Sequence, residues 1–155
     1  MADVATRRTI RLASIPVVLV RATRRYLNDM IRELQLIELG QRGSARRSGP
    51  LDDQARALRS DLEWLRDDFG GHTEWSGGVA PADGTGEMAA ELRGDAASRM
   101  HRTLARFDEL NRLSDQGHLL TEAATPEMMR MLRWVTDELD GQLDEGREPR
   151  PYKPQ

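Results

Sequence analysis

The feature that most constrains the fold is a regular apolar series between residues 51 and 69. Its members are separated by alternating intervals of four and three residues: Leu51, Ala55, Leu58, Leu62, Leu65 and Phe69. Such intervals place side chains along one narrow side of an α-helix, as in the seam of a helical bundle or a short coiled coil. The series therefore predicts a helix over 51–69 that packs against another helix, either in the same chain or in a second copy.

Three further segments repeat apolar residues at helical spacing. The first, over about 15–39, starts with a Ser that can cap a helix and a Pro in the first turn, and a Gly follows its end. Another helix is predicted over about 95–116, between an Asp that can act as N-cap and a Gly stop. The last, over about 126–144, follows Thr125-Pro126-Glu127, which combines a cap, a Pro at the first helical position and an acid in the first turn.

The remaining segments lack helical spacing. Residues 41–50 form a linker rich in Gly, Ser and Arg, and residues 72–86 a glycine-rich central loop. Apolar residues alternate over 87–93 as in a short strand, but a lone strand would have no partner, so helix or irregular structure is favoured there. Residues 1–13 are expected to be a flexible N-terminus, and residues 145–155, with three Pro, a disordered tail.

These elements predict an all-α fold, a four-helix bundle-like domain over residues 14–144. A chain of 155 residues suits a single domain and can bury a core without a disulfide or a metal. Cysteine is absent, which excludes disulfides, thiolate metal sites and Cys nucleophiles. The apolar run over 15–20 is too short for a secretory signal or a membrane helix, so we expect a cytoplasmic protein without membrane contact.

Charge is split along the chain. Residues 1–47 carry ten Arg and four acids, a balance of +6, whereas the remainder carries 13 basic and 22 acidic residues, a balance of −9. Two interpretations remain open: the first helix packs against its own acidic domain, or it presents a basic patch to nucleic acid or an acidic partner. The basic candidates for an interaction are Arg21, Arg24, Arg25 and Arg32.

A second set of interaction candidates lies on the fourth helix. Methionines cluster there, and Met side chains either fill irregular core gaps or adapt to varied partners. Most follow the core stripe, but one lies off it, and a Trp that follows two Arg residues would suit an interface anchor. These candidates are Met129, Arg130, Arg133 and Trp134.

The sequence carries no complete catalytic motif. Of the three His, only His118 has an acid three residues before it, but Gly117 interrupts that helix and the motif has no duplicate. Phosphate-binding and nucleophile-elbow motifs are absent, and the paired acids at helix ends suit the helix dipole. We therefore predict a protein that is not an enzyme, with no catalytic residue, no metal and no cofactor.

Six stretches, spread over most of the chain, form a further pattern: Ile10–Leu19, Tyr26–Ile37, Phe107–Asn111, Gly117–Thr121, Thr125–Glu127 and Arg133–Glu138. The pattern resembles small actinobacterial α-helical proteins that accompany the kinase, antagonist and phosphatase proteins of stress-response partner switching. The resemblance implies a helical fold and a regulatory role, and it identifies no catalytic residue. Where those relatives carry His beyond the midpoint of the first helix, this chain has Arg25, Tyr26 and Asn28. A role of such His is therefore not carried over.

We therefore predict a non-enzymatic cytoplasmic regulatory protein that acts through protein–protein interaction, as in bacterial signalling or sigma-factor regulation. The expected partner is another regulatory protein, and self-association into a homodimer remains open. One alternative is a nucleic-acid-binding regulator that uses the Arg-rich first helix, although the linker after it is too long for a helix-turn-helix. The other is a helical domain that senses a small ligand, with the loop at His72–Trp75 closing over a pocket.

Overall fold

The prediction of an all-α four-helix bundle is wrong. A computed structural model, which describes residues 6–42 and 54–154, combines four α-helices with a three-stranded antiparallel sheet. The main elements are, in chain order, β1 (Arg7–Pro16), α1 (Val17–Arg42), α2 (Ala55–Glu63), β2 (Thr73–Trp75), β3 (Thr85–Arg93), α3 (Ala96–Asp115) and α4 (Pro126–Leu139). π-Helical segments follow α2 at Trp64–Phe69 and α4 at Asp140–Asp144, and a 3-10 turn spans Gly70–His72. None of the helices in the described ranges is long and apolar enough to cross a membrane.

The sheet has the strand order β1–β3–β2, and both pairings are antiparallel. β1 buries Ile10 and Leu12 while Thr9 and Arg11 are exposed, so its side chains alternate between the core and solvent. Ala90 of β3 lies opposite Ile10 in the register and is also buried. The expectation of helix or irregular structure over 87–93 is therefore corrected, because this strand has two partners rather than none.

β1 occupies the segment that was expected to be a flexible N-terminus and the start of the first helix. The strand continues through Pro16, which pairs with Thr85, so α1 begins only after it. Between Leu12 and Ile15 the register shifts, and Ser14 adopts φ 57°, in the left-handed region. A register shift of this kind is a β-bulge, in which one extra residue on β1 bends the strand. Ser14 therefore belongs to a bulge and does not cap the helix.

The seam predicted over 51–69 packs inside this chain. Leu51 lies outside the described residues, as does most of the linker expected over 41–50. The other members of the seam are buried in the common core: Ala55, Leu58, Leu62, Leu65 and Phe69. They belong to α2 and to the π-helical segment after it. These side chains are consequently not available as a coiled-coil face for a second copy.

The third and fourth helices lie close to their expected bounds. α3 begins directly after Asp95, and α4 begins at Pro126. The predicted cap of α4 is confirmed, since the side chain of Thr125 accepts a hydrogen bond from the N–H of Met128 at 3.2 Å. Beyond Leu139, the expected helix continues as a π-helical turn.

The C-terminal segment, which was expected to be disordered, contacts the rest of the fold as far as Tyr152. The Glu138 side chain is 1% exposed and accepts hydrogen bonds from the Arg147 guanidinium at 2.9 Å and the Arg150 N–H at 3.0 Å. Tyr152 is buried, and its N–H donates to the carbonyl of Ala13 in β1 at 2.9 Å. The Pro-rich composition gave no indication of these partners, because they lie in other elements.

We expect Ile10→Ala to lower the free energy of unfolding by about 2–5 kcal/mol, because it removes a buried side chain and leaves a cavity. Thr9→Ala, on the exposed face of the same strand, should change that free energy by less than about 0.5 kcal/mol. Chemical denaturation followed by circular dichroism measures both values. If both variants changed the free energy of unfolding by the same small amount, the assignment of β1 would be contradicted. In a flexible N-terminus, neither side chain would be buried.

Candidate functional site

The four basic candidates on α1 do not form one patch. All four side chains are exposed. Intervals of four and seven residues place Arg21, Arg25 and Arg32 on one side of the helix, away from the core. Arg24 lies on the flank of the helix, where it lines a cavity together with Arg66. The structure therefore separates one sequence cluster into two different surroundings.

Apolar side chains share the side of α1 that carries three of the arginines. Val18 is 66% exposed, Leu36 61% and Leu39 60%. Together with the arginines they recur at intervals of three, four, seven, four and three residues, which keep side chains on one side of a helix. We call this set the outer stripe: Val18, Arg21, Arg25, Arg32, Leu36 and Leu39. Both of its ends are apolar, and its centre carries Arg25 and Arg32 with the exposed Asp29 between them on the same side of the helix.

The arginines of the outer stripe form no ion pair within the described part of the chain. Arg21 donates weak hydrogen bonds to the carbonyls of Pro81 and Ala82, both at 3.4 Å. Arg25 and Arg32 form no ion pair with any described residue. Packing of the first helix against acidic residues of the same chain therefore does not pair Arg25 or Arg32 with a carboxylate among the described residues.

The loop between α3 and α4 adds a fixed apolar contact point beside α1. It lines a groove together with Arg25 and Asp29 of α1, and its Leu120 is 95% exposed. The Glu33 carboxylate accepts hydrogen bonds from the N–H groups of Leu120 and Thr121 and from the Thr121 hydroxyl, at 2.7 to 3.0 Å. Bonds to a carboxylate are stronger than neutral ones, so this side chain holds the loop against α1. Leu120 is thereby presented next to the outer stripe.

Tyr26 lines the same groove, but its side chain is buried and stacks on Phe107, with ring centroids 5.2 Å apart. Its hydroxyl has no hydrogen-bond partner among the described residues. Burial, and after it the negative charge of Glu33, raises the pKa of Tyr26 well above its usual range. The phenol consequently stays protonated near neutral pH, and it supports the groove by packing.

The four candidates on α4 differ in exposure, because the chain itself covers only the two apolar ones. Met129 is 5% exposed and belongs to the core. Trp134 packs edge-on against Tyr152 of the C-terminal segment, with ring centroids 5.2 Å apart. Exposed ion pairs, each 3.7 Å long, engage the two arginines: Arg130 with Glu127, and Arg133 with Asp108. On α4 the two arginines are therefore exposed, whereas the two apolar candidates pack against other parts of the chain.

Two of the three histidines lie apart from both surfaces, and the third, His118, lies in the loop between α3 and α4, two residues before Leu120. The Nδ1 atom of His72 lies 2.7 Å from the carbonyl oxygen of Asp68, and the Nε2 atom of His101 lies 2.7 Å from a carboxylate oxygen of Asp140. Among residues 6–42 and 54–154, no group of three or more potential metal ligands is found. The segment after His72, expected as a loop over a pocket, is the edge strand β2.

Sequence reasoning found the arginines but missed the rest of the surface. The spacing of the apolar members of the outer stripe was visible in the sequence, and it could have shown a second stripe on the opposite side of the helix. The role of Glu33 had no local indication, because its partners Leu120 and Thr121 lie 87 and 88 residues further along the chain.

We expect Glu33→Ala to release the loop between α3 and α4, because it removes the acceptor of three donors. The amide hydrogens of Leu120 and Thr121 should exchange at least about tenfold faster, as measured by NMR. The control is Glu122→Ala, an exposed carboxylate in the same loop, which should leave both rates unchanged. Unchanged exchange in the Glu33 variant would show that this carboxylate does not hold the loop.

Comparisons of the chain with protein-family models, with curated proteins and with solved structures return no match. The resemblance to proteins of partner switching therefore stays a prediction.

Proposed function

We propose that this chain is a non-enzymatic, cytoplasmic regulatory protein that binds an acidic amphipathic helix of a partner protein through the outer stripe of α1. One observation carries the proposal: a single exposed side of a helix combines arginines that lack carboxylate partners among the described residues with apolar side chains at both ends. Bacterial signalling, including sigma-factor regulation, is the setting that the sequence resemblance implies.

A helical partner is favoured by the spacing of the outer stripe. Side chains at intervals of three and four residues form a ridge that fits the groove between the side chains of another helix. The apolar ends of the stripe would bury against apolar residues of that helix, and Arg25 and Arg32 at the centre would meet Asp or Glu. Leu120, held beside Arg25 by Glu33, would add one apolar contact from the neighbouring loop.

The composition of this surface favours a protein over a nucleic acid. Nucleic acids present a continuous row of phosphates, and the surfaces that bind them are strongly basic throughout. Here three apolar side chains that are at least 60% exposed share the stripe, and the carboxylate of Asp29 lies in the adjoining groove. An acidic helix with apolar flanks complements this mixture better than a phosphate backbone does.

The charged and the apolar side chains of the outer stripe are expected to affect different rate constants, those of association and of dissociation. Charged groups at an interface mainly raise the association rate and select the partner, and salt weakens this effect. Buried apolar contacts mainly slow dissociation. Complex formation should therefore become slower at higher salt, while a complex that has already formed should persist.

The proposal is tested by affinity capture from a lysate of native cells, with quantitative mass spectrometry and charge-reversed variants. We expect the wild-type chain to retain one protein in stoichiometric amount. The double variant Arg25→Glu with Arg32→Glu should retain at least about tenfold less, because each reversal places like charges together. The matched control, Arg56→Glu with Arg93→Glu, changes the net charge equally at exposed positions elsewhere, and it should bind as the wild type does.

If both double variants lost the partner equally, binding through the outer stripe would be contradicted. The loss would then depend on the net charge of the chain and not on the position of the arginines. Retention that disappears after nuclease treatment would instead support the nucleic-acid alternative. Capture of no stoichiometric protein at low or moderate salt would end the protein-binding proposal.

A further inference from the structure

A cavity of about 100 Å³ lies where the sheet, α1, α3, α4 and the π-helical segment meet. Most of its lining is apolar and buried, including the methionines Met88, Met100 and Met131. The polar part of the lining includes Arg24 and Arg66. Because Arg24 is exposed while the apolar lining is buried, the side with the arginine is the side on which the cavity reaches solvent.

The wall of the cavity contains an irregular helix. Leu65, Arg66 and Phe69 line it from the π-helical segment Trp64–Phe69. π-Helical turns are rare and occur frequently at functional sites, and close-packed cores hold few voids larger than a water molecule. A void of this size beside such a turn, lined by adaptable Met side chains, has the features of a binding pocket.

The two arginines at the cavity differ in their charge balance. The Arg66 guanidinium donates to both carboxylate oxygens of Asp67, at 2.8 and 3.0 Å, so its charge is compensated. Arg24 forms no ion pair with any described residue. The solvent side of an apolar pocket therefore carries one guanidinium that is free to bind an anion, and a carboxylate matches its planar donors.

We propose that this cavity binds a small aliphatic carboxylate, with its chain among the buried apolar residues and its carboxylate on Arg24. An apolar cavity of about 150 Å³ holds a benzene molecule, so this smaller one would take about four to six carbons. The ligand site goes beyond the proposed partner binding and does not depend on it, since Arg24 lies outside the outer stripe.

Isothermal titration calorimetry with straight-chain carboxylates of two to ten carbons tests the proposal. Affinity should rise about fourfold for each added methylene, which is the usual gain for burying that group, until the chain fills the cavity. Beyond that length the rise should stop. Hexanol should bind at least about tenfold more weakly than hexanoate, because it lacks the charge. Equal binding of hexanol and hexanoate, or an absence of heat at millimolar hexanoate, would overturn the proposal.

Two neighbouring arginines provide matched variants. Arg24→Gln should weaken hexanoate binding at least about tenfold, whereas Arg25→Gln, one residue along and on the outer stripe, should leave it unchanged. Both side chains are exposed, so both variants should keep the wild-type circular dichroism spectrum. Equal weakening in the two variants, or none in Arg24→Gln, would overturn the assignment of the carboxylate to Arg24.

Discussion

The antiparallel pairing of β1 with β3 is the interaction on which the rest of the structure depends. It connects Arg7 with Arg93 at one end and Pro16 with Thr85 at the other, and it directs Ile10 into the core. α1 follows β1 without an intervening loop, so the direction of the strand sets the direction of the helix. The sheet therefore determines which side of α1 is covered by the core and which side becomes the outer stripe.

α1 consequently meets three surroundings. Its inner side packs into the core, its flank places Arg24 at the apolar cavity, and its outer side presents Arg25 and Arg32 between apolar ends. The loop between α3 and α4 is fixed to the same helix by Glu33. Protein binding on the outer side and carboxylate binding at the flank therefore use neighbouring residues of one helix without sharing them.

Features encoded by near neighbours were predictable from the sequence. The cap at Thr125 and the burial of the seam around Leu62 depend on residues within one or two helical turns, and the structure shows both. The sheet was not predictable in this way, because the strand over 85–93 needs a partner about eighty residues earlier. Ser14 and Pro16 also match the sequence pattern of a helix start, so a helix was predicted where β1 ends. The arginines of the candidate site could be identified from residue type alone. Only the fold shows that Arg24 lines the cavity while the other three lie on the outer stripe.

Site-specific photo-crosslinking tests the central claim, that a partner protein binds the outer stripe of α1, most directly. A photoreactive amino acid would be incorporated in native cells at Val18 or Leu36 of the stripe, and at Arg112, an exposed position of α3, as the control. We predict one discrete protein crosslinked from both stripe positions and none from the control. Crosslinking of the same protein with equal yield from Arg112, or of no protein from the stripe, would contradict the account.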